Sequence, residues 1–310
     1  MKLWYNKSRL VHSTNKRGKN MRIAISTDTS CLINDFSIKK YPIYVLPLNV
    51  IIDGEEYLDG VTINQEKLYL DMNAKKTIKT STPPLGSIVE YFENILSQGY
   101  DKVIHFTISS KLSSMFELFT LASKNYLDEK IVVVDSLGVS LNMFSQVIYT
   151  YEEITKGTEV DVILEALKER KNNNHLCCAP ENLVTLKNGG RVSPAIAAIG
   201  NTIGLKPMLV FKDGALEKDG MIRNVKKAFF DKLDEYLEKC PIADYDYALV
   251  DFYGNEKVVN AIIDYFDEKN LGYSLVRGIV PINVCAHCGP GTIALTISPK
   301  INGKSIHEYL

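Results

Sequence analysis

Four serines between a strand-like run and a helix-periodic segment form a candidate binding site. Ser109, Ser110, Ser113 and Ser114 lie just before residues 115–127, whose apolar positions repeat with a helical period. A helix start offers unpaired backbone N–H groups and partial positive charge, and hydroxyl groups add hydrogen-bond donors. Helix capping needs only one hydroxyl, whereas this cluster has four. The pattern therefore predicts an anion site.

Three other short motifs supply groups that bind anions. Thr80 and Ser81 precede two prolines and a helix-periodic segment, where helix capping is an equally good interpretation. Arg191 follows two glycines, and an arginine in such a turn can direct its guanidinium at a carboxylate or phosphate. His287 is followed closely by Gly-Pro-Gly. We expect a rigid loop there, which presents the imidazole to an anion or a partner.

Other site chemistries receive little support from the sequence. Cys285 and Cys288 flank His287, but a structural zinc site needs four ligands, and the adjacent thiols Cys177 and Cys178 have no spacer between them. The Cys-x-x-Cys spacing does not follow a thioredoxin arrangement. Glycine-rich nucleotide motifs and the Gly-x-Ser-x-Gly elbow are absent from the sequence. We therefore expect no metal ion and no cofactor.

The segments that must position these groups alternate between strand and helix patterns from residue 21 to about residue 155. This alternation predicts an α/β fold with a mostly parallel sheet flanked by helices. Ligands bind at the carboxyl edge of such sheets, where the hydroxyl clusters at 29–30, 109–114 and 136 are expected to converge. A polar turn at 156–158 is the predicted boundary, so residues 21–157 form the N-terminal domain.

Residues 158–310 are predicted to form a second α/β domain. Its expected helices include 194–203, a run of small apolar residues, and 221–238, while 275–283 is expected to be a strand. Residues 1–20 are polar and basic and lack the apolar core of a signal peptide. We interpret them as a disordered leader or an artefact of annotation, with Met21 as the natural start, rather than as a basic binding arm.

Composition excludes several function classes. The chain of 310 residues has a formal net charge of -1, which gives no overall attraction to nucleic acid or anionic membranes. Its six cysteines are too few for a disulfide scaffold of this length, and with no signal peptide they indicate reduced thiols in the cytoplasm. No apolar run is long enough to span a bilayer.

Several motifs in order resemble the DegV family, and the resemblance extends over nearly the whole chain from Met21. They are residues 26–30 (STDTS), 47–60 (PLNVIIDGEEYLDG), 79–83 (KTSTP), 109–114 (SSKLSS), 186–193 (LKNGGRVS), 204–207 (GLKP) and 287–291 (HCGPG). The resemblance implies a two-domain α/β protein that buries one long-chain fatty acid, of C16 to C18 length, between its domains. It also implies that the protein is not an enzyme by itself.

The resemblance assigns roles to individual residues. Thr80 and Ser113 should hold the fatty-acid carboxylate, and Arg191 and His287 should lie at the head-group or phosphate end. Arg223, which opens the predicted helix 221–238, matches a basic residue implicated in docking a kinase.

One departure from the family pattern affects the head-group motif. The family usually continues Ser-Gly-Thr-Tyr, whereas this chain has Ser113-Ser114-Met115-Phe116. The change keeps the hydroxyl of Ser113, adds a side chain at 114 and removes a polar aromatic ring. We expect Ser81 and Ser114 to support the hydroxyl pair.

The function implied is that of a lipid-binding subunit that presents the carboxylate to a separate ATP-dependent fatty acid kinase, whose acyl phosphate feeds phospholipid synthesis. Two alternatives remain open from the sequence. One is a lipid sensor or carrier without a kinase. The other is an acyl hydrolase or transferase that uses Ser113 with His287, which would need a base within hydrogen-bond reach and an oxyanion hole.

Overall fold

The computed structural model describes residues 12–14, 20–31, 38, 40–181, 183, 186–187, 190–192 and 204–310. The predicted helix 194–203, Gly189 and most of the predicted leader lie outside the described residues. Within that leader, β1 (His12–Thr14) pairs antiparallel with the strand that follows it.

The first half of the chain alternates strands and helices as the sequence predicts. Its remaining elements are β2 (Asn20–Asp28), β3 (Ile43–Leu46), β4 (Asn49–Ile52), β5 (Glu55–Leu58), α1 (Gln65–Asn73), β6 (Ile78–Ser81), α2 (Leu85–Leu96), β7 (Lys102–Thr107), α3 (Met115–Tyr126), β8 (Ile131–Asp135) and α4 (Leu141–Thr155).

A parallel sheet forms the centre of this half and confirms the predicted α/β class. Strands β3, β2, β7 and β8 pair side by side in parallel. Residues 103–107 of β7 are all buried, which is typical of a strand covered on both faces. The carboxyl ends of β2, β7 and β8 therefore bring Ser30, Ser109 and Ser136 to one edge of the sheet.

The apolar run 41–52 has the composition of one strand but forms two strands in two sheets. β3 joins the parallel sheet, whereas β4 joins β5 and β6 in a separate antiparallel sheet. Pro47 lies between them and has no N–H to donate to a ladder, so the run breaks there. The break places β6, which carries Thr80 and Ser81, beside β4.

The second half is built on a six-stranded sheet. Its elements are α5 (Val160–Asn172), β9 (His175–Ala179), β10 (Lys206–Lys212), β11 (Ala215–Ile222), α6 (Val225–Lys239), β12 (Tyr245–Phe252), α7 (Glu256–Glu268), β13 (Leu275–Ile279), α8 (Ile282–Cys288) and β14 (Thr292–Pro299). The strand order is β11-β10-β9-β14-β12-β13, and only β12 and β13 pair in parallel.

Two predicted boundaries in this half were wrong. The predicted helix 221–238 begins at Val225, because the side chain of Asn224 caps it and residues 221–222 complete β11. The predicted strand 275–283 ends at Ile279, and Pro281 precedes the start of α8. His287 consequently lies in the last turn of α8 and not in a loop.

The two halves pack against each other through shared hydrophobic clusters. Buried Val50 and Phe119 from the first half and Val250, Cys285 and Ala294 from the second belong to a single cluster. Such a shared core holds the edge of the parallel sheet against the second sheet.

Polar contacts also cross between the two halves. The Ser109 hydroxyl donates to the carbonyl of Gly214, in the β10–β11 turn, at 2.7 Å. Asn142 donates to the carbonyl of Ile297 at 2.8 Å. These bonds fix the orientation of the halves around the space between them.

Candidate ligand-binding site

A cavity lies between the carboxyl edge of the parallel sheet and the second sheet. It contains about 1090 Å³ of space free of protein atoms, part of which is open to solvent. Most of its lining is apolar: Leu48, Ile108, Leu112, Met115, Val139, Leu176, Cys178, Pro180, Leu186, Phe211, Leu216, Val250, Val280, Pro281, Val284, Cys288 and Ala294. Such a cavity suits a largely apolar ligand with a polar group at one place.

Thr80 and His287 meet at this cavity although 207 positions separate them in the sequence. The hydroxyl of Thr80 and Nε2 of His287 are 2.8 Å apart and hydrogen-bonded. Thr80 is held on β6 by its pairing with Val50, and His287 by the last turn of α8. Both side chains line the cavity, together with Ser81 and Thr82.

Ser113 reaches the cavity from the loop that connects β7 to α3. Ser109 shapes this loop, because its carbonyl accepts from the N–H groups of Leu112 at 2.9 Å and Ser113 at 3.2 Å. Its hydroxyl also accepts from the N–H of Lys111 at 3.2 Å. Ser109 therefore has a structural role, and Ser113 is the serine of the cluster that lines the cavity.

Arg191 enters the same region from the second half. Gly190 has φ +70°, a conformation that glycine adopts at little cost, and it turns the chain so that the arginine points inward. Nε of Arg191 donates to the carbonyl of Leu112 at 3.2 Å. This bond places the guanidinium beside the Ser113 loop. Arg191 is the only charged side chain among the described residues that line the cavity.

The electrostatics of these groups favour a single anion. Burial, reinforced by the nearby charge of Arg191, lowers the pKa of His287 to about 4, so the imidazole is neutral at pH 7. Burial also lowers the pKa of Arg191, but a guanidinium stays protonated in proteins. At neutral pH the described lining of the cavity thus carries one positive charge and several hydroxyl groups, a combination that is compatible with a ligand of one negative charge.

Two of the predicted site residues do not reach this cavity. Ser114 precedes α3, is exposed and does not line the cavity. Arg223 is exposed, precedes the N-cap of α6 and is also not part of the lining. Among nearby apolar residues, Met115 lines the cavity and Phe119 is packed in the core. The predicted helix 194–203 lies outside the described residues.

Polar cavity residues outside the predicted binding set are Ser30, Thr82, Ser140, Asn283, Thr292 and Thr296. Ser30 belongs to a hydroxyl cluster at a strand end, a signal that could have found it. Ser140 follows a polar turn, which is a weaker signal. Asn283 was assigned to a strand, and its correct place on α8 brings it to the cavity.

The geometry does not assemble the serine–histidine pair of a hydrolase. The hydrogen bond that Nε2 of His287 makes at the cavity is to Thr80 and not to Ser113. A serine nucleophile is activated by an adjacent base, and the histidine that the sequence offers for this role is hydrogen-bonded to Thr80. No helix in the described ranges is long and apolar enough to cross a membrane.

Comparisons with known proteins agree with this architecture. A DegV domain-containing protein of Clostridium perfringens is 28% identical over 275 residues, which cover 88% of this chain and 97% of that protein. A DegV family protein from Thermus thermophilus, described for its fatty acid binding, superposes with a TM-score of 0.80 at 25% identity and covers 90% of this chain and 100% of its own.

A second solved structure is similar to the same extent. DegV of Bacillus subtilis, a fatty acid binding protein, has a TM-score of 0.78 at 25% identity, with 90% of this chain and 100% of that one covered. The family model described as "Uncharacterised protein, DegV family" matches residues 22–300. This match spans most of the sequence and includes both halves of the fold, and the chain therefore belongs to the DegV family.

Proposed function

We propose that this protein binds one long-chain fatty acid, with its carboxylate among Thr80, Ser113, Arg191 and His287 and its tail in the cavity. The observation that carries the proposal is the cavity itself: its lining is largely apolar, and its single described charge, Arg191, lies beside the hydroxyl groups. The fatty acid binding described for the Thermus thermophilus and Bacillus subtilis relatives supports it.

Burial of the acyl tail should supply most of the binding free energy of such a ligand, and the carboxylate should supply little. Burial of about fifteen methylene groups at about 0.8 kcal/mol each contributes on the order of 12 kcal/mol before the cost of association. The head group cannot add comparable energy. Its partners chiefly prevent the large penalty of an unpaired buried charge, which a hydroxyl pair and one arginine can do.

The bound acid would then be a substrate for a second protein. In this proposal a separate ATP-dependent kinase transfers the terminal phosphate of ATP to the carboxylate, which yields an acyl phosphate for phospholipid synthesis and ADP. The protein contributes positioning only. This role is supported by the absence of any nucleotide motif in the sequence and by a cavity partly open to solvent. Arg223, exposed before α6, is the proposed docking residue.

Native mass spectrometry tests the binding step most directly. Protein purified under mild conditions should carry one added mass that denaturation releases, and lipid extraction should identify it as a C16 to C18 acid. Consistent recovery of a ligand that is not a lipid, or of protein with an empty cavity, would contradict the proposal.

Affinity capture tests the kinase step separately. The lipid-loaded protein should retain an ATP-binding partner, and Arg223→Ala should weaken this retention. Lys257→Ala, which removes an exposed cation on α7, is the matched control and should leave it unchanged. Retention that is equal in both variants argues against Arg223 as the docking residue, and capture of no ATP-binding protein argues for a lipid carrier or sensor without a kinase.

A further inference from the structure

Three polar residues from separate elements meet in the wall of the apolar cavity, apart from the carboxylate groups. Ser30 follows β2, Ser140 precedes α4, and Asn283 lies in the first turn of α8. Ser30 connects them: its hydroxyl accepts from the amide of Asn283 at 2.8 Å, and its carbonyl accepts from the N–H of Ser140 at 2.8 Å. All three line the cavity.

Two polar atoms of this cluster form no hydrogen bond with the described part of the protein. The hydroxyl of Ser140 and Oδ1 of Asn283 are buried and have no hydrogen-bond partner among the described residues. Ser140 is 2% exposed and Asn283 is 5% exposed. Exchanging the amide oxygen and nitrogen of Asn283 would still leave one of them unpaired, because Ser30 is the one described residue that hydrogen-bonds to that amide group. Unpaired buried polar atoms cost free energy and are rare in native proteins.

The backbone of Ser140 adds an independent observation. Its φ of +52° and ψ of −129° lie in a region that favours glycine, yet the position holds serine. Strain of this kind persists where the surrounding structure fixes it and often marks a functional position. Ser140 lines the cavity, and its buried hydroxyl has no partner among the described residues.

We propose that Ser30, Ser140 and Asn283 form a second polar subsite, which binds a hydroxyl group carried on the acyl chain of the ligand. A hydroxyl group can donate to Oδ1 of Asn283 while it accepts from the hydroxyl of Ser140. A keto group can accept but leaves the amide oxygen unpaired, and a methylene group satisfies neither. The preferred ligand class is therefore a hydroxylated fatty acid. This inference rests on the proposed function and deepens it.

The position of the subsite limits where the hydroxyl group can be on the chain. Asn283 and His287 are four residues apart on one face of α8, a separation of about 6 Å along the helix. His287 lies at the carboxylate end of the site. The hydroxyl group should therefore be on one of the first few carbons after the carboxylate.

Competition binding to delipidated protein tests this subsite. The probes are hexadecanoic acid and its monohydroxylated forms substituted within the first few carbons. We expect one of these forms to bind about tenfold more tightly than hexadecanoic acid, because it satisfies buried groups that the unsubstituted chain leaves unpaired. Ser140→Gly, which suits the backbone conformation, should bring the affinity ratio near one, and Ser140→Ala should do the same.

Thr150→Val is the matched control. Thr150 also has a buried hydroxyl without a partner among the described residues, and it lies on α4, which Ser140 precedes, but it does not line the cavity. This variant should keep the preference, and thermal unfolding should show that all variants fold. Hexadecanoic acid bound as tightly as every hydroxylated form, or a preference that survives in both Ser140 variants, overturns the subsite. Failure to bind any of these acids would instead contradict the proposed function.

Discussion

Replacement of Thr80 by valine should weaken fatty acid binding while leaving the fold intact. Valine has nearly the shape of threonine, so the change removes the hydroxyl that bonds His287 at 2.8 Å and little else. Thr80 is paired on β6 through its backbone, which the substitution does not disturb, and β-branched residues suit a strand. The perturbation is therefore confined to the polar end of the cavity.

The expected loss of binding free energy follows from the negative charge of the ligand. A hydrogen bond to a charged group contributes about 1.5–3 kcal/mol, which corresponds to a rise in Kd of about 10- to 150-fold. The neutral His287 also loses its partner, and this should lower the free energy of unfolding of the unliganded protein by about 1 kcal/mol.

The assay is displacement of a fluorescent fatty acid from delipidated protein, by palmitate and by its methyl ester. The ester carries no negative charge, so the substitution should weaken palmitate binding far more than ester binding. Thr77→Val changes an exposed threonine before β6 and should leave both affinities unchanged. An equal loss for acid and ester, or no loss for either, would refute the assignment of Thr80 to the carboxylate.

Three further predictions concern pH and packing. A bound carboxylate should raise the pKa of His287 from about 4, so binding takes up a proton and the affinity for the fatty acid should rise as the pH falls from 7 towards 5. Titration calorimetry should find no such rise in His287→Gln. His105 is fully buried and burial lowers its pKa to about 3, so below about pH 6.5 the unfolded state binds a proton that the folded state does not. The free energy of unfolding should therefore fall by up to about 1.4 kcal/mol per pH unit below that pH. Urea unfolding of His105→Phe should show a weaker dependence of this free energy on pH, and an unchanged dependence would contradict the assignment. Gly214→Ala should lower the free energy of unfolding by about 2–4 kcal/mol, since its φ is +80° and the new Cβ would lie 2.6 Å from the Ser109 hydroxyl. Gly54→Ala is the control, because Gly54 has φ +90° and no atom within 4 Å of the new Cβ, so this variant should show only the cost of the backbone conformation.

Local sequence patterns predicted the elements of the fold well where one pattern gave one element. The buried strand β7, the partly buried strand β8 and the helices after them could be recognised, because apolar runs and helical periods depend on neighbours along the chain. The apolar run 41–52 was harder: its composition is that of one strand, and only the sheets it joins show that Pro47 divides it. Residues 282–283 were placed in a strand because their apolar surroundings also suit a buried strand.

The residues of the candidate site could be predicted from the sequence, but their contacts with one another could not. Thr80, Ser113, Arg191 and His287 were each found from a motif, and all line one cavity. The Thr80–His287 bond was not predictable, since it joins residues 207 positions apart and depends on α8 being a helix.

The separate origins of these groups have a physical consequence. Thr80 and Ser113 belong to the first half of the chain, and Arg191 and His287 belong to the second. The proposed carboxylate site therefore requires that the two halves be docked, through contacts such as that between Ser109 and the Gly214 carbonyl. A ligand that binds only the docked state stabilises it in proportion to the logarithm of its concentration over Kd. If the proposed function holds, the bound lipid helps to hold the two halves together, and delipidated protein should unfold at a lower temperature than lipid-loaded protein.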